Sequence, residues 1–174
     1  MADRTEPTAS RTAFQGVVIR VNIEEWSGQP PYEVIHHLGA AAVLPLLPSD
    51  DVLLVQQFRP AVRQTMTEIP AGLLDVDGED ALTCATRELF EETGHRHREI
   101  EFLGGYYASA GFTDEYVHLF WARAEAEPEG EVEEGIEVIR MPFGQMVDAA
   151  RAGKVRDAKT ALALLLAAGR PSLP

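Results

Sequence analysis

Residues 79–93 restrict the fold of this chain more than any other segment, because they read as a helix with both ends marked. Asp77-Gly78 precede the helix, acidic residues open its first turn, and Gly94 stands where helices commonly end in a left-handed residue. Leu82, Ala85 and Leu89 recur at i, i+3 and i+7 and form one apolar stripe. A helix with one apolar stripe has to bury it against a second layer, which the rest of the chain must supply.

The flanking sequence supplies that layer as strands. β-branched residues predict a strand over 14–23 and another over 32–38, parted by the turn signal Ser27-Gly28-Gln29-Pro30-Pro31. Apolar runs at 40–47 and 52–58 around Pro48-Ser49-Asp50-Asp51 predict a hairpin, and Pro45 limits the first run to an edge or a strand terminus. Further strands are expected at 101–107, 116–124 and 136–141, an acidic loop at 125–134, and closing helices at 143–152 and 157–168. Strands alternating with separated helices imply a mixed sheet sandwiched between helices, an α/β (α+β) layer fold. At 174 residues the chain suits one core. Residues 1–12 read as a flexible tail, 13–38 as an N-terminal strand region, and 39–174 as the main domain.

Composition then removes whole classes of function. The net charge is −13, which argues against sequence-independent nucleic-acid binding, since that needs a basic face. The same charge repels any phosphorylated ligand unless a bound cation or placed arginines reverse the field locally. Cys84 is the only cysteine, which leaves no intramolecular disulfide and fits a reducing, cytoplasmic setting. The polar N-terminus has no apolar core of a signal peptide, and no apolar run is long enough to span a bilayer, so no membrane partner is expected.

Glu88, Glu91 and Glu92 lie at i, i+3 and i+4 and project from one side of the helix. Like charges at that spacing repel, and the C-terminal end of a helix disfavours anions. Arg87, four residues before Glu91, offsets only part of this. Most such runs are solvated faces. Metal binding explains why carboxylates gather where the helix least wants them, because Mg²⁺ takes hard oxygen ligands from carboxylates, water and phosphates.

The full string resolves the choice. Gly72-Leu73-Leu74-Asp75-Val76-Asp77-Gly78-Glu79, seven further residues, then Arg87-Glu88-Leu89-Phe90-Glu91-Glu92-Thr93-Gly94 resembles the box of the Nudix hydrolases. There are two departures: six residues separate Gly72 from Glu79 where the pattern has five, and His95 follows Gly94 in place of an aliphatic residue. The resemblance implies a Nudix-type α/β/α sandwich with an N-terminal antiparallel strand region. It also implies Mg²⁺ (Mn²⁺ as the alternative), in more than one ion. The ligands would be Glu88, Glu92, Glu91 for a second ion, and the backbone carbonyl of Ala71. Glu79 and Arg87 would support the ligands from behind.

Outside the box, Gln56-Gln57-Phe58-Arg59-Pro60, Glu68-Ile69-Pro70-Ala71-Gly72, Ser109-Ala110-Gly111-Phe112-Thr113-Asp114-Glu115 and Gly153-Lys154-Val155-Arg156-Asp157-Ala158-Lys159-Thr160 resemble the ADP-ribose pyrophosphatase branch. That implies Mg²⁺-dependent hydrolysis of ADP-ribose to AMP and ribose 5-phosphate by a homodimer that shares its site through the N-terminal strands. Arg59 is the candidate for the diphosphate, since a guanidinium grips phosphate bidentately, with Arg63 and Leu73 as further contacts. Ser109, Gly111, Phe112 and Glu115 would border the terminal ribose, and Trp26 or Phe112 could stack the base. In this branch the general base comes from a loop after the box. Glu134 is the first choice within the acidic loop and Glu133 the second, although most glutamates in such a loop are simply solvated.

The remaining polar residues read structurally. His95 and His97 follow the helix end and suit surface capping. Adjacent His36 and His37 point to opposite faces of a strand. Cys84 lacks a partner for thiol catalysis. Competing functions are hydrolysis of another nucleoside diphosphate derivative (a GDP-sugar or a dinucleoside polyphosphate), a non-catalytic ADP-ribose-binding module, or an acidic interaction domain. A binding module would be expected to have lost box carboxylates, and an interaction domain leaves the string from 72 to 94 unexplained.

Overall fold

The fold is that of a computed structural model in which residues 6–171 and 173 are described. Its compact units are two: one from Met1–Gly39 and Tyr106–Val117, the other from Ala40–Gly105 and His118–Pro174.

The first unit holds an antiparallel sheet of β1 (Ala9–Gln15), β2 (Ile19–Glu25) and β3 (Tyr32–His37), in that order. The strand expected over 14–23 is instead two strands joined at Gly16-Val17-Val18, where Gly16 N–H donates to the Ile19 carbonyl at 2.9 Å. The β-branched residues continue through this turn, so composition did not mark it. The tail expected over 1–12 is also shorter, since β1 begins at Ala9; residues 1–5 lie outside the described residues.

The second unit is a layered α/β structure. Its seven-stranded mixed sheet runs β10 (Glu137–Pro142), β5 (Asp51–Arg59), β4 (Ala40–Leu46), β9 (Tyr116–Ala124), β8 (His97–Tyr107), with β6 (Gln64–Glu68) on β5 and β7 (Ala71–Leu73) on β4. The ends of β8 and β9 belong to the first unit. β4 reads AAAVLPL and is buried on both faces, as an unbroken apolar strand must be. Ala41 and Val43 join Cys84, Ala85 and Leu89 of α1 (Ala81–Thr93) with Phe120 and Ala122 of β9. Alternation sends Ala42 and Leu44 to the other face, the side on which α3 (Ala158–Ala168) packs with α2 (Phe143–Arg151). Burying Leu89 alone contributes roughly 1.5–3 kcal/mol. Pro45 is the penultimate residue of β4, a strand terminus, although β4 itself is internal.

Helix α1 begins two residues later than expected. Asp80 caps it, accepting from Thr83 N–H at 2.8 Å, so its first turn carries no acidic residue. Gly94 ends it at φ 73°. The short strands β6 and β7 have no apolar periodicity, and only their partners β5 and β4 make them strands.

Candidate active site

The carboxylates of α1 face β7. Glu88 and Glu92 are 8% and 5% exposed, and Glu91 is half in solvent. Ala71 N–H donates to Glu92 Oε2 at 3.1 Å. A Cβ on Gly72 would stand 1.8 Å from Glu88 Oε1, so the glycine is what lets the β7 backbone approach that carboxylate. Arg87 runs behind the cluster. Its Nε and Nη2 are gripped by Glu79 at 2.9 and 3.0 Å, while Nη1 donates to both Glu88 Oε1 and Glu91 Oε2. Glu79 therefore sits on Arg87 and at one remove from the cluster. Among the described residues, no three acidic, histidine or cysteine side chains converge as a ready cation site. Arg87 Nη1 takes up two of the three carboxylates, Glu88 and Glu91.

Electrostatics singles out the buried pair. Burial pushes the Glu92 carboxyl up to about 7 against the hydrogen bond from Ala71, and the charges of Glu88 and Glu133 add to the rise. Glu88 is also raised, first by burial, with Arg87 opposing and Glu91 and Glu133 contributing. Two buried anions are thus only partly neutralised by the chain's own groups.

Glu133 reaches this cluster because the acidic loop is fastened to the end of α1. Gly94 C=O accepts from Glu129 and Gly130 N–H at 2.8 and 3.1 Å, and Glu91 C=O accepts from Glu133 N–H at 3.0 Å. These are terminal helix carbonyls that would otherwise lack partners. A Cβ on Gly130 would meet the Phe90 ring at 2.6 Å, and one on Gly94 would meet the Gly130 carbonyl at 2.5 Å. Among the described residues no comparable link joins Glu134 to the cluster. The close-packed glycine pair was the available signal, and the loop's composition hid it.

Arg59, at the end of β5, donates through Nε and Nη2 to the two oxygens of Glu68, at 2.8 and 2.9 Å. Its side chain is 38% exposed, and its charge and that of Glu92 act on each other. Glu68, a residue with no assigned part in the sequence reading, is 3% exposed, and Lys159 Nζ also bonds its Oε2. Arg63 closes the β5–β6 turn at φ 56° with its N–H on the Arg59 carbonyl. Leu73 lies in β7, its carbonyl facing Cys84 Sγ at 3.4 Å. The extra residue of the 72–79 loop is accommodated in a turn where Glu79 N–H donates to the Val76 carbonyl and Gly78 has φ 80°. Both ends of that loop keep their contacts, with Gly72 against Glu88 and Glu79 on Arg87.

The first unit holds a cavity of about 580 Å³ lined by Trp26, Tyr32, Tyr107, Gly111 and Phe112 among others. Its 108–115 loop is stitched to β3: Ile35 N–H donates to the Phe112 carbonyl, and Asp114 accepts from His36 Nδ1 and His37 N–H at 2.7 and 2.8 Å. Ser109 and Glu115 build that loop through backbone hydrogen bonds and do not line the cavity.

Two smaller expectations change. His95 is 2% exposed, and capping at the surface is not its role; its Nδ1 meets the Thr93 carbonyl at 2.8 Å and its Nε2 has no partner among the described residues. Cys84 is fully buried, and burial pushes its thiol up to about 12, which keeps it protonated.

Comparison with known proteins agrees with this architecture. The NUDIX domain model matches residues 36–164, about three quarters of the chain. An ADP-ribose pyrophosphatase of Bacillus subtilis (strain 168) is 35% identical over 164 residues, covering 90% of this chain and 88% of that protein. A GDP-mannose pyrophosphatase of Cronobacter sakazakii is 39% identical over 137 residues, covering 72% of this chain and 71% of its own length. In fold, the chain superposes on the crystal structure of an ADP compounds hydrolase with a TM-score of 0.75 at 19% identity, over 92% of this chain and 90% of the other.

Proposed function

Because the chain belongs to the Nudix family, we propose that it hydrolyses the diphosphate of ADP-ribose to AMP and ribose 5-phosphate. The observation that carries this reading is the pair of buried, under-neutralised carboxylates, Glu88 and Glu92, against the backbone at Ala71 and Gly72. Hydrolases of this family generally use divalent metal ions. The donor set fits one: hard oxygens, taken out of water, whose charge the protein leaves incompletely met. Glu88, Glu92, Glu91 and the Ala71 carbonyl would hold it, as Mg²⁺ or Mn²⁺ and in more than one ion. When bound, it would neutralise the diphosphate and lower the pKa of a bound water.

The chain's own residues divide the remaining work. Arg59 holds the diphosphate through the guanidinium edge that Glu68 leaves free. Arg87, fixed by Glu79, orients Glu88 and Glu91. Glu133 takes the proton of the attacking water at its carboxylate. What favours it over Glu134 is the effect of its charge on Glu88 and Glu92. Within the first unit, Trp26 and Phe112 line a cavity whose aromatic wall suits a base, and Gly111 lies along the same wall. Ser109 and Glu115 shape the ribose end of that loop, and Arg63 and Leu73 flank the substrate. The protein acts as a homodimer. Support comes from β1, exposed along its whole length, and from Phe14, Val17 and Tyr32, exposed apolar residues of the first unit. No helix among the described residues is long and apolar enough to cross a membrane.

A second reading, hydrolysis of a GDP-sugar, is supported by the Cronobacter relative's name. A Mg²⁺-dependent screen over ADP-ribose, GDP-mannose, NADH and diadenosine polyphosphates separates the two. ADP-ribose should give the highest kcat/KM, and Glu134→Gln should keep turnover that Glu133→Gln loses. A higher kcat/KM for GDP-mannose would replace the first reading with the second.

A further inference from the structure

A chain of net charge −13 has to bring a diphosphate up to a group of glutamates; Arg87 is held by Glu79, Glu88 and Glu91, and Arg59, the candidate for the diphosphate, is held by Glu68. An arginine held by one carboxylate is a neutral pair, with a weak field for a further anion. Glu68, however, is shared. Its Oε2 also accepts from Lys159 Nζ, so two cations divide one buried anion. Lys159 has a second partner, Asp157 Oδ1 at 3.0 Å. That anion is met from elsewhere: Asp157 caps α3, and its Oδ2 accepts from Thr160 N–H and Oγ1–H at 2.9 and 2.6 Å. A helix N-terminus favours an anion at this place. Arg59, Glu68 and Lys159 sum to one positive unit, which Asp157, its charge partly offset by the N-terminus of α3, lowers without cancelling.

Exposure decides where that charge emerges. The Lys159 side chain is 16% exposed and lies between two carboxylates, whereas Arg59 is 38% exposed and its Nη1 makes no hydrogen bond among the described residues. The assembly is also anchored beside the site. Thr160 Oγ1 accepts from Ile69 N–H at 2.8 Å, fastening the first turn of α3 to the segment that leads into Ala71.

We propose that Lys159 is a positioning residue for diphosphate binding: by sharing Glu68, it leaves the outward edge of Arg59 with a fixed orientation and an unspent positive charge. This rests on the reading that Arg59 holds the diphosphate. The test is calorimetric binding of inorganic pyrophosphate with Mg²⁺ present, to the wild type, Lys159→Met, Lys159→Arg, Arg59→Ala and the Arg59→Ala/Lys159→Met double variant. Each is measured well below its own Tm. Lys159→Met should weaken binding about tenfold, the size expected for one partly screened charge at several ångströms. Lys159→Arg should restore most of it. Lys159→Met should add nothing in the Arg59→Ala background, because it acts through Arg59. The KM for ADP-ribose should rise with Kd while kcat changes less than about twofold. A lower Tm with unchanged Kd, effects that multiply in the double variant, or no measurable pyrophosphate binding by the wild type each overturns the inference. If Lys159→Met does not fold, Lys159→Gln carries the same comparison. The expected binding pattern without ADP-ribose hydrolysis would sink the substrate reading and leave Lys159 standing. Hydrolysis of ADP-ribose with KM and Kd untouched in Lys159→Met would do the reverse.

Discussion

Glu68 and Glu92 are the same residue type, buried to 3% and 5% exposure in the same unit, yet they behave in opposite ways. Burial alone would raise both. At Glu68, hydrogen bonds from Arg59 and the charge of Lys159 overcome it and bring the carboxyl down to about 2. At Glu92, burial leads and two neighbouring anions add to it, with only one backbone N–H and the charge of Arg59, which makes no hydrogen bond to it, set against them, and the carboxyl rises to about 7. The difference lies in where the cations are. The Glu68 carboxylate is matched by cations of the chain itself, while the Glu92 carboxylate is left under-neutralised.

Substitution should separate them. Glu92→Gln is expected to lower kcat/KM by about a thousandfold, the effect of losing a few kcal/mol of metal-borne stabilisation, while Tm at pH 8 without metal stays level or rises. A fall in Tm there would mean that Glu92 is scaffold too. Glu68→Gln should do the opposite in stability. Removing one partner from a buried ion network costs about 3 kcal/mol, read as a Tm lower by about 10 °C in a chain of this size. Because the folded carboxyl lies at about 2, below its ordinary value, the Glu68 contribution is full above about pH 4.5 and is lost as pH falls toward 2. The deficit of Glu68→Gln should therefore shrink in acid, and a pH-independent deficit would break the ion-network account.

Smaller effects sharpen the same contrast. Gly72→Ala puts a methyl where the Glu88 carboxylate lies. A flexible side-chain end can swing away, so the variant should keep its Tm within a few degrees yet lose about ten- to a hundredfold in kcat/KM, the range for a displaced ligand support. Equal losses in both would make Gly72 a packing residue only. His95→Leu should stabilise by about 1 kcal/mol at pH 5.5 and by less at pH 8, measured by chemical denaturation, because it removes a buried nitrogen without a partner. Burial lowers the His95 pKa, so the neutral ring's contribution is full above the unfolded value and is lost as pH falls through the folded one. A stabilisation that does not grow toward acid would show that the ring is accommodated in both states.

Much of this was legible along the chain because it depends on local periodicity. The α1 helix, its Gly94 stop and the grouping of Glu88, Glu91 and Glu92 follow from residues within four positions of one another, whereas of the expected apolar stripe Ala85 and Leu89 are buried and Leu82 is 44% exposed. Pairing of Glu79 with Arg87 is nearly as local. The turn at Gly16-Val17-Val18 and the strands β6 and β7 were not legible, since neighbours across the sheet, and no internal pattern, make those segments extended.

The chain's order alone determined that acidic groups would be concentrated at one helix end, and with them the family and its kind of chemistry. Only tertiary structure decided which distant charges answer them. The backbone at Glu133 is fastened to the end of α1 because helix-end carbonyls need donors and the loop N–H groups at 129, 130 and 133 supply them. Lys159 stands 91 positions from Glu68, yet it shares that carboxylate because the N-terminus of α3 packs beside β6 and carries it there. Burial then fixes the sign of each carboxylate's response. Exposure to water and access to a cation are properties of the packed molecule, and residue type alone does not contain them.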